Sequence, residues 1–210
     1  MSVIDITLWQ LGPSFNSRKV RYALGAKGVG YSVVEVNDSN VSEVIAVSGQ
    51  PLTPMLKHGR QIMFDSGAIV RYIDANIDGP RLFSPDMDEM RAIESWETKS
   101  KQEILSAYMQ LAGQVRSGEM DPDILRSGKD AFFASATEVE NSINQHGFLV
   151  GNKLTAADIF CGCYLAYGFL TEAEAGKRPP MVWAKENIAL DQSHPKLAIW
   201  FEQLRKLETS

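Results

Sequence analysis

Residues 4–36 read IDITLWQLGPSFNSRKVRYALGAKGVGYSVVEV, and two different periodicities alternate along them. Ile4, Ile6 and Leu8 recur every second residue, the mark of a strand with one buried face. From Ser17 to Lys27 the apolar residues Val20, Ala23 and Leu24 fall on helical spacing with Lys27, and Gly28 supplies a stop. Val33-Val34-Glu35-Val36 is short and β-branched, which reads as a second strand. A helix between two strands makes a βαβ unit, which favours parallel pairing through a right-handed crossover.

Working outward, Met55-Leu56-Lys57 and Gln61-Ile62-Met63-Phe64 flank His58-Gly59 as a hairpin. Ser66 then opens a helix whose apolar face is Ile69, Val70 and Ile73. The polar, small-residue-rich patch of residues 37–50 carries no firm helix signal. At Asp78-Gly79-Pro80 and Ser84-Pro85 the composition changes, with Arg81-Leu82-Phe83 between them as an apolar anchor in a connector. Beyond it the pattern is helical. Met90, Ile93, Trp96, Ile104, Tyr108 and Leu111 share one face, and Phe132, Ala136, Val139 and Ile143 step by four, three and four. Thr155-Ala156-Ala157-Asp158 before Ile159 is a capping box. Ser193-His194-Pro195 opens a last helix bearing Leu197, Trp200, Leu204 and Leu207. The expected organisation is a domain over residues 1–78, a linker over 79–87 and an all-helical bundle over 88–210.

Composition excludes several classes. The chain has 210 residues, is 44% hydrophobic and 22% charged, and carries a formal charge of −5, with basic residues clustered no further than the pairs Arg18-Lys19 and Lys177-Arg178. That distribution lacks the footprint of a nucleic-acid binder. Nothing approaches the eighteen or so consecutive apolar residues of a membrane span. The start, MSVIDITLWQ, has an acid where a secretion signal carries Lys or Arg, so a cytoplasmic location is expected. Two cysteines, Cys161 and Cys163, sit on different faces of a helix with no second Cys/His pair, so zinc is excluded and buried inert thiols are expected. The three histidines, His58, His146 and His194, lie near turns and helix ends and read as solvated caps, and Arg18-Lys19 reads as a solvated helix edge.

Four stretches, taken in order, carry a resemblance. They are Pro13-Ser14-Phe15-Asn16-Ser17-Arg18-Lys19-Val20, Thr53-Pro54-Met55-Leu56, Asp65-Ser66-Gly67-Ala68-Ile69, and Phe148 through Asp158 (FLVGNKLTAAD), with His194-Pro195-Lys196-Leu197 before Trp200 in support. Together they resemble the cytosolic glutathione S-transferases, of the bacterial type that uses a serine or asparagine turn rather than a tyrosine. The resemblance implies an α/β thioredoxin-like N-terminal domain followed by an all-α C-terminal bundle. It implies glutathione as co-substrate, a small electrophile as the second substrate, and a homodimer in which Gln102 and Glu103 approach the partner's cofactor.

The resemblance also assigns roles. Ser14 or Asn16 would contact the sulfur, with Ser17 as a third candidate; Thr53, ahead of a cis Pro54, would pair through its backbone with the cysteinyl part. Ser66, as N-cap, would offer backbone N–H groups to the γ-glutamyl carboxylate, and Asp65 would face the ammonium. Phe15, Tyr108 and Tyr167 would border the electrophile. Leu52 and Thr53 depart from the family's usual Lys or Gln and Val ahead of the proline. Two other functions share the frame: glutathione-dependent reduction of a disulfide or hydroperoxide, and non-enzymatic binding of a ligand or protein.

The chemistry asked of the turn is modest. A free thiol with a pKa of about 8.5 is a few per cent ionised at neutral pH. Lowering it by about two units needs roughly 2.7 kcal/mol of preference for the thiolate and raises the ionised fraction about twentyfold. Intrinsic nucleophilicity falls about eightfold in return, so the net gain is a few-fold and positioning must supply the rest.

Overall fold

The computed structural model describes residues 5–209, so Ile4 of the opening strand pattern lies outside the described residues. The chain divides into two compact units, one running to Phe83 and taking in the residues from Arg205 onward, the other Ser84–Leu204.

The first unit is built on a four-stranded sheet of β1 (Ile6–Gln10), β2 (Ser32–Glu35), β3 (Met55–His58) and β4 (Gln61–Phe64), in the order β2-β1-β3-β4. β1 pairs parallel with β2 and antiparallel with β3, which pairs antiparallel with β4. Alternation in β1 places Ile6 and Leu8 in the core beneath α1 (Phe15–Lys27) and α3 (Ser66–Asn76), which contribute Val20, Leu24, Ile69 and Ile73. The half-buried Trp9 packs instead with Val36, Val41, Val44 and Met55. Val41 and Val44 belong to α2 (Val41–Ser48), so the patch of residues 37–50 does form a helix. Its start is organised by Asn40, whose side chain accepts from Asn37 N at 2.8 Å and donates to Glu35 O at 2.9 Å.

The stretch after α3 is tied down rather than loose. Asp74 accepts from Leu82 N at 2.7 Å, Phe83 N at 3.1 Å and Lys27 Nζ at 2.8 Å, and the Arg71 guanidinium lies over the Phe83 ring. Leu82 and Phe83, expected in a linker, therefore belong to the core of the first unit. The chain end also differs from the expected helical domain over 88–210. A 3₁₀ turn, Lys206–Thr209, returns to α1, where Glu208 pairs with Arg18 at 3.3 Å and Arg21 at 2.7 Å. Arg18 is thus buried by an ion pair, not a solvated edge.

The second unit contains α4 (Met87–Lys99), a π-helical stretch over Ser100–Leu105, α5 (Ser106–Ser117), α6 (Pro122–Ser142), α7 (Ala156–Leu165), the short α8 (Glu172–Ala175), α9 (Pro179–Asn187) and α10 (Pro195–Arg205), the last residue of which falls in the first unit. Asp86 and Asp121 cap α4 and α6 by accepting from two backbone N–H groups each. Every residue of α7 is buried. Its Asp158 accepts from Thr155 N, Thr155 Oγ1, Leu149 N and Trp200 Nε1 at 2.9–3.1 Å. Burial pushes this carboxyl's pKa up, while the four donors pull it back. Cys161 and Cys163 are buried, and burial raises the Cys161 thiol well above its ordinary range. His194 corrects the expectation of a solvated cap: it is buried, with Ser193 Oγ at 2.8 Å from Nδ1 and Thr137 Oγ1 at 3.0 Å from Nε2. Among the described residues no helix is long and apolar enough to cross a membrane, and no cluster of side chains could hold a metal ion.

Candidate functional site

Strand register gathers the candidate residues of the first unit. Met55 pairs with Trp9 on one side and Phe64 on the other. The end of β1, the start of β3 and the end of β4 therefore meet at one edge of the sheet. Three segments leave that edge: the turn carrying Ser14 into α1, Thr53-Pro54 entering β3, and Asp65-Ser66 entering α3. The Thr53–Pro54 peptide is cis, as the resemblance implied.

Ser14 is the N-cap of α1, yet its side chain makes no capping hydrogen bond. Its hydroxyl therefore stands at the positive end of a helix without being spent on that helix. Phe15 is the first helical residue and is half-buried. Asn16 follows and reaches across to α3, where Ser66 Oγ donates to Asn16 Oδ1 at 3.1 Å. Lys19 Nζ lies 3.0 Å from Ser66 Oγ and 3.3 Å from Asn16 Oδ1, closing a triangle between the two helix starts. Lys19 is 1% exposed, so it too is no solvated edge. Its place between the two helix starts differs from the solvated position expected of it. The available signal was its spacing: Lys19 lies three residues from Asn16 and four from Ala23, on the edge of the buried stripe.

The start of α3 differs from expectation in one respect. The N-cap is Asp65, not Ser66, and Asp65 Oδ1 accepts from Ala68 N at 2.8 Å. Asp65 holds φ 76°, a region that side chains other than glycine seldom enter and that recurs at ligand clamps, whereas the capping Asp86 and Asp121 keep negative φ. Ser66 is instead the first helical residue, its hydroxyl held by Asn16 and Lys19. The amides of Ser66 and Gly67 precede the i→i−4 ladder, which makes them natural donors to an anion.

In the second unit Tyr108 and Tyr167 meet as a stacked pair, with ring centroids 3.8 Å apart and planes 9° from parallel. They are 3% and 5% exposed. Burial and the neighbouring Tyr167 push the Tyr108 phenol well above its ordinary value. Gln102 and Glu103 line an open cleft of about 390 Å³ with Ser106, Gln110, Ser135 and Glu138.

Comparison with known proteins gives the family and the fold. Residues 11–81 match the family described as glutathione S-transferase, N-terminal domain, and residues 120–208 match glutathione S-transferase, C-terminal domain. The glutathione S-transferase GstB of Escherichia coli (strain K12) is 25% identical over 207 residues, covering 95% of this chain and 92% of its own. A probable glutathione S-transferase of Nicotiana tabacum is 27% identical over 145 residues, which is 68% of this chain and 62% of the tobacco protein's length. The theta class glutathione S-transferase of the citrus canker pathogen Xanthomonas axonopodis pv. citri, crystallised with glutathione bound, superposes with a TM-score of 0.74 at 22% identity. That superposition covers 98% of this chain and 96% of the other, and it establishes likeness of fold.

Proposed function

The chain belongs to the cytosolic glutathione S-transferase family, and from that membership we propose that it binds glutathione at the sheet edge between α1 and α3 and transfers its thiolate to small apolar electrophiles. The observation that carries this reading is the uncommitted Ser14 hydroxyl at the N-terminus of α1. Stabilising a thiolate needs a hydrogen-bond donor where negative charge is already favoured, and a helix start supplies the second condition.

In this reading the γ-glutamyl carboxylate lies on the Ser66 and Gly67 amides, and the ammonium faces the Asp65 carboxylate. The cysteinyl backbone pairs with Thr53 in the manner of an added strand. Glutathione then arrives with its sulfur near Ser14 and Asn16. The proton leaves the thiol for solvent, the sulfur attacks an electrophilic carbon, and a leaving group departs or a strained ring opens. A homodimer is the working form that the family implies, and sedimentation of the purified protein reads it directly.

The test is turnover of a chloronitrobenzene-type aryl halide by wild type and Ser14→Ala, with calorimetric titration of glutathione alongside. The expected result is a fall of about tenfold or more in turnover with glutathione affinity changed by less than about threefold, since the lost donor acts on the sulfur anion. Unchanged turnover removes Ser14 from the mechanism. Binding to a folded wild type weaker than several millimolar, about 3 kcal/mol or less at the 1 M standard state, removes the enzyme reading altogether. Hydroxyethyl disulfide and cumene hydroperoxide, assayed in parallel, separate transfer from reduction.

A further inference from the structure

The triangle between α1 and α3 contains more information than its three distances. An ammonium only donates hydrogen bonds, whereas a hydroxyl has one proton to give. With Lys19 Nζ at 3.0 Å, Ser66 Oγ must act as acceptor toward it, and its single proton goes to Asn16 Oδ1 at 3.1 Å. Lys19 Nζ, at 3.3 Å, gives a second proton to the same oxygen. Reversing the Asn16 amide would set its NH₂ group against the ammonium and leave the hydroxyl proton without an acceptor. The network therefore decides the orientation of the amide, as hydrogen-bond partners decide it for any asparagine. Oδ1 faces inward, and Nδ2 is turned away from the triangle. Among the described residues no acceptor takes Nδ2, and Asn16 is half-exposed in the first turn of α1, two residues from Ser14.

We propose that Lys19 is a positioning residue for the transferase reaction: with Ser66 it locks Asn16 as a hydrogen-bond donor and presents Nδ2–H to the glutathione sulfur anion. The proposal rests on the glutathione-binding reading above and adds to it a source of donor polarity. A serine hydroxyl can rotate to donate or accept. An asparagine amide held at its oxygen by an ammonium and a hydroxyl can only donate on its free side. The lysine charge stands behind that amide and favours an anion in front of it, the more so because Lys19 is 1% exposed and water screens it little. The side chain touches neither sulfur nor electrophile in this arrangement; it acts through Asn16. An arginine can keep the charge and the donors, whereas a methionine keeps only the length of the stem.

The experiment measures the pKa of the bound glutathione thiol from the ultraviolet absorbance of its thiolate, and separately the affinity for S-methylglutathione, which has no thiol proton. Lys19→Met, Lys19→Gln and Lys19→Arg are compared with wild type, and Lys19→Met is repeated in an Asn16→Ala background. Lys19→Met is expected to raise the bound thiol's pKa by about one unit. Affinity for S-methylglutathione should stay within about threefold, a change of about 0.65 kcal/mol. Lys19→Arg is expected to restore most of the shift. In the Asn16→Ala background most of the shift should disappear, because the lysine then has no amide to orient and only its direct charge effect remains. An unchanged thiol pKa in Lys19→Met overturns the proposal, and so does an equal shift with and without Asn16, which would mean that the charge acts directly. Should Lys19→Met fail to fold, Lys19→Gln takes its place, and it too is expected to raise the pKa. A wild type that binds neither ligand defeats the glutathione reading itself, whereas wild-type binding with an unmoved pKa defeats only the role of Lys19.

Discussion

Two hydroxyls on adjacent turns of one helix have opposite fates. Ser14 caps α1 without using its side chain, while Ser17, one turn on, is fully buried with an oxygen that has no hydrogen-bond partner. A buried polar atom left unpaired costs about 1–3 kcal/mol, and serine is a poorer helix former than alanine. Ser17→Ala is therefore expected to raise stability by about 1 kcal/mol, read as a higher denaturant midpoint at constant slope. A lowered midpoint would show that the hydroxyl has an essential partner. Asp158 is the contrasting case, with both oxygens receiving two donors each. Its capping-box pattern was legible from Thr155 and Asp158 alone. The contacts with Leu149 and Trp200, nine and 42 residues away, were not, because no local spacing encodes them.

At the level of elements, α1 is pinned from outside by the returning chain end. A Cβ at Gly25 would stand 2.0 Å from the backbone oxygen of Leu207, so the glycine is what allows the 3₁₀ turn to lie against the helix. In α5, by contrast, a Cβ at Gly113 meets nothing within 4 Å. The two substitutions should have opposite signs. Gly113→Ala is expected to stabilise by about 0.5–1 kcal/mol through helix propensity. Gly25→Ala is expected to destabilise by about 1–3 kcal/mol, since backbone must move. Parallel thermal melts of the two variants check this, and a stabilised Gly25→Ala would refute the close approach. Helix α2 illustrates a limit of periodicity. Only Val44 of its eight residues is buried, while Ile45 and Val47 are exposed, so no apolar stripe announces it. The helix becomes visible only when Trp9, Val36 and Met55 provide a surface for it.

For the molecule as a whole, the stacked Tyr108–Tyr167 pair predicts a pH dependence. Burial raises the Tyr108 phenol above its ordinary value of 10.0, so the folded state keeps a proton that the unfolded chain gives up. Stability from this group is fully present below pH 10 and is lost as pH rises beyond it, by up to about 1.4 kcal/mol per pH unit. Wild type should therefore lose more melting temperature between pH 9 and pH 11 than Tyr108→Phe; equal losses would sink the prediction. Tyr108 and Tyr167 also mark the boundary of legibility, since nothing in their local spacing records that the two rings stack across 59 residues of chain. Sequence alone determined what depends on local chemistry. Period-two and helical spacing laid out the βαβ opening and the helical remainder, and the family resemblance carried by short stretches of sequence marked Ser14, Pro54 and Ser66 as candidates. Only the tertiary structure decided what depends on long-range proximity. Lys19 is one such outcome, because a lysine reads as solvated until Ser66, 47 residues away, meets its ammonium. The N-cap at Asp65 and the return of Glu208 to Arg18 and Arg21 are others. The physical reason is the same in each: burial and hydrogen-bond partnership belong to pairs of distant residues, and the spacing within one segment carries no record of them.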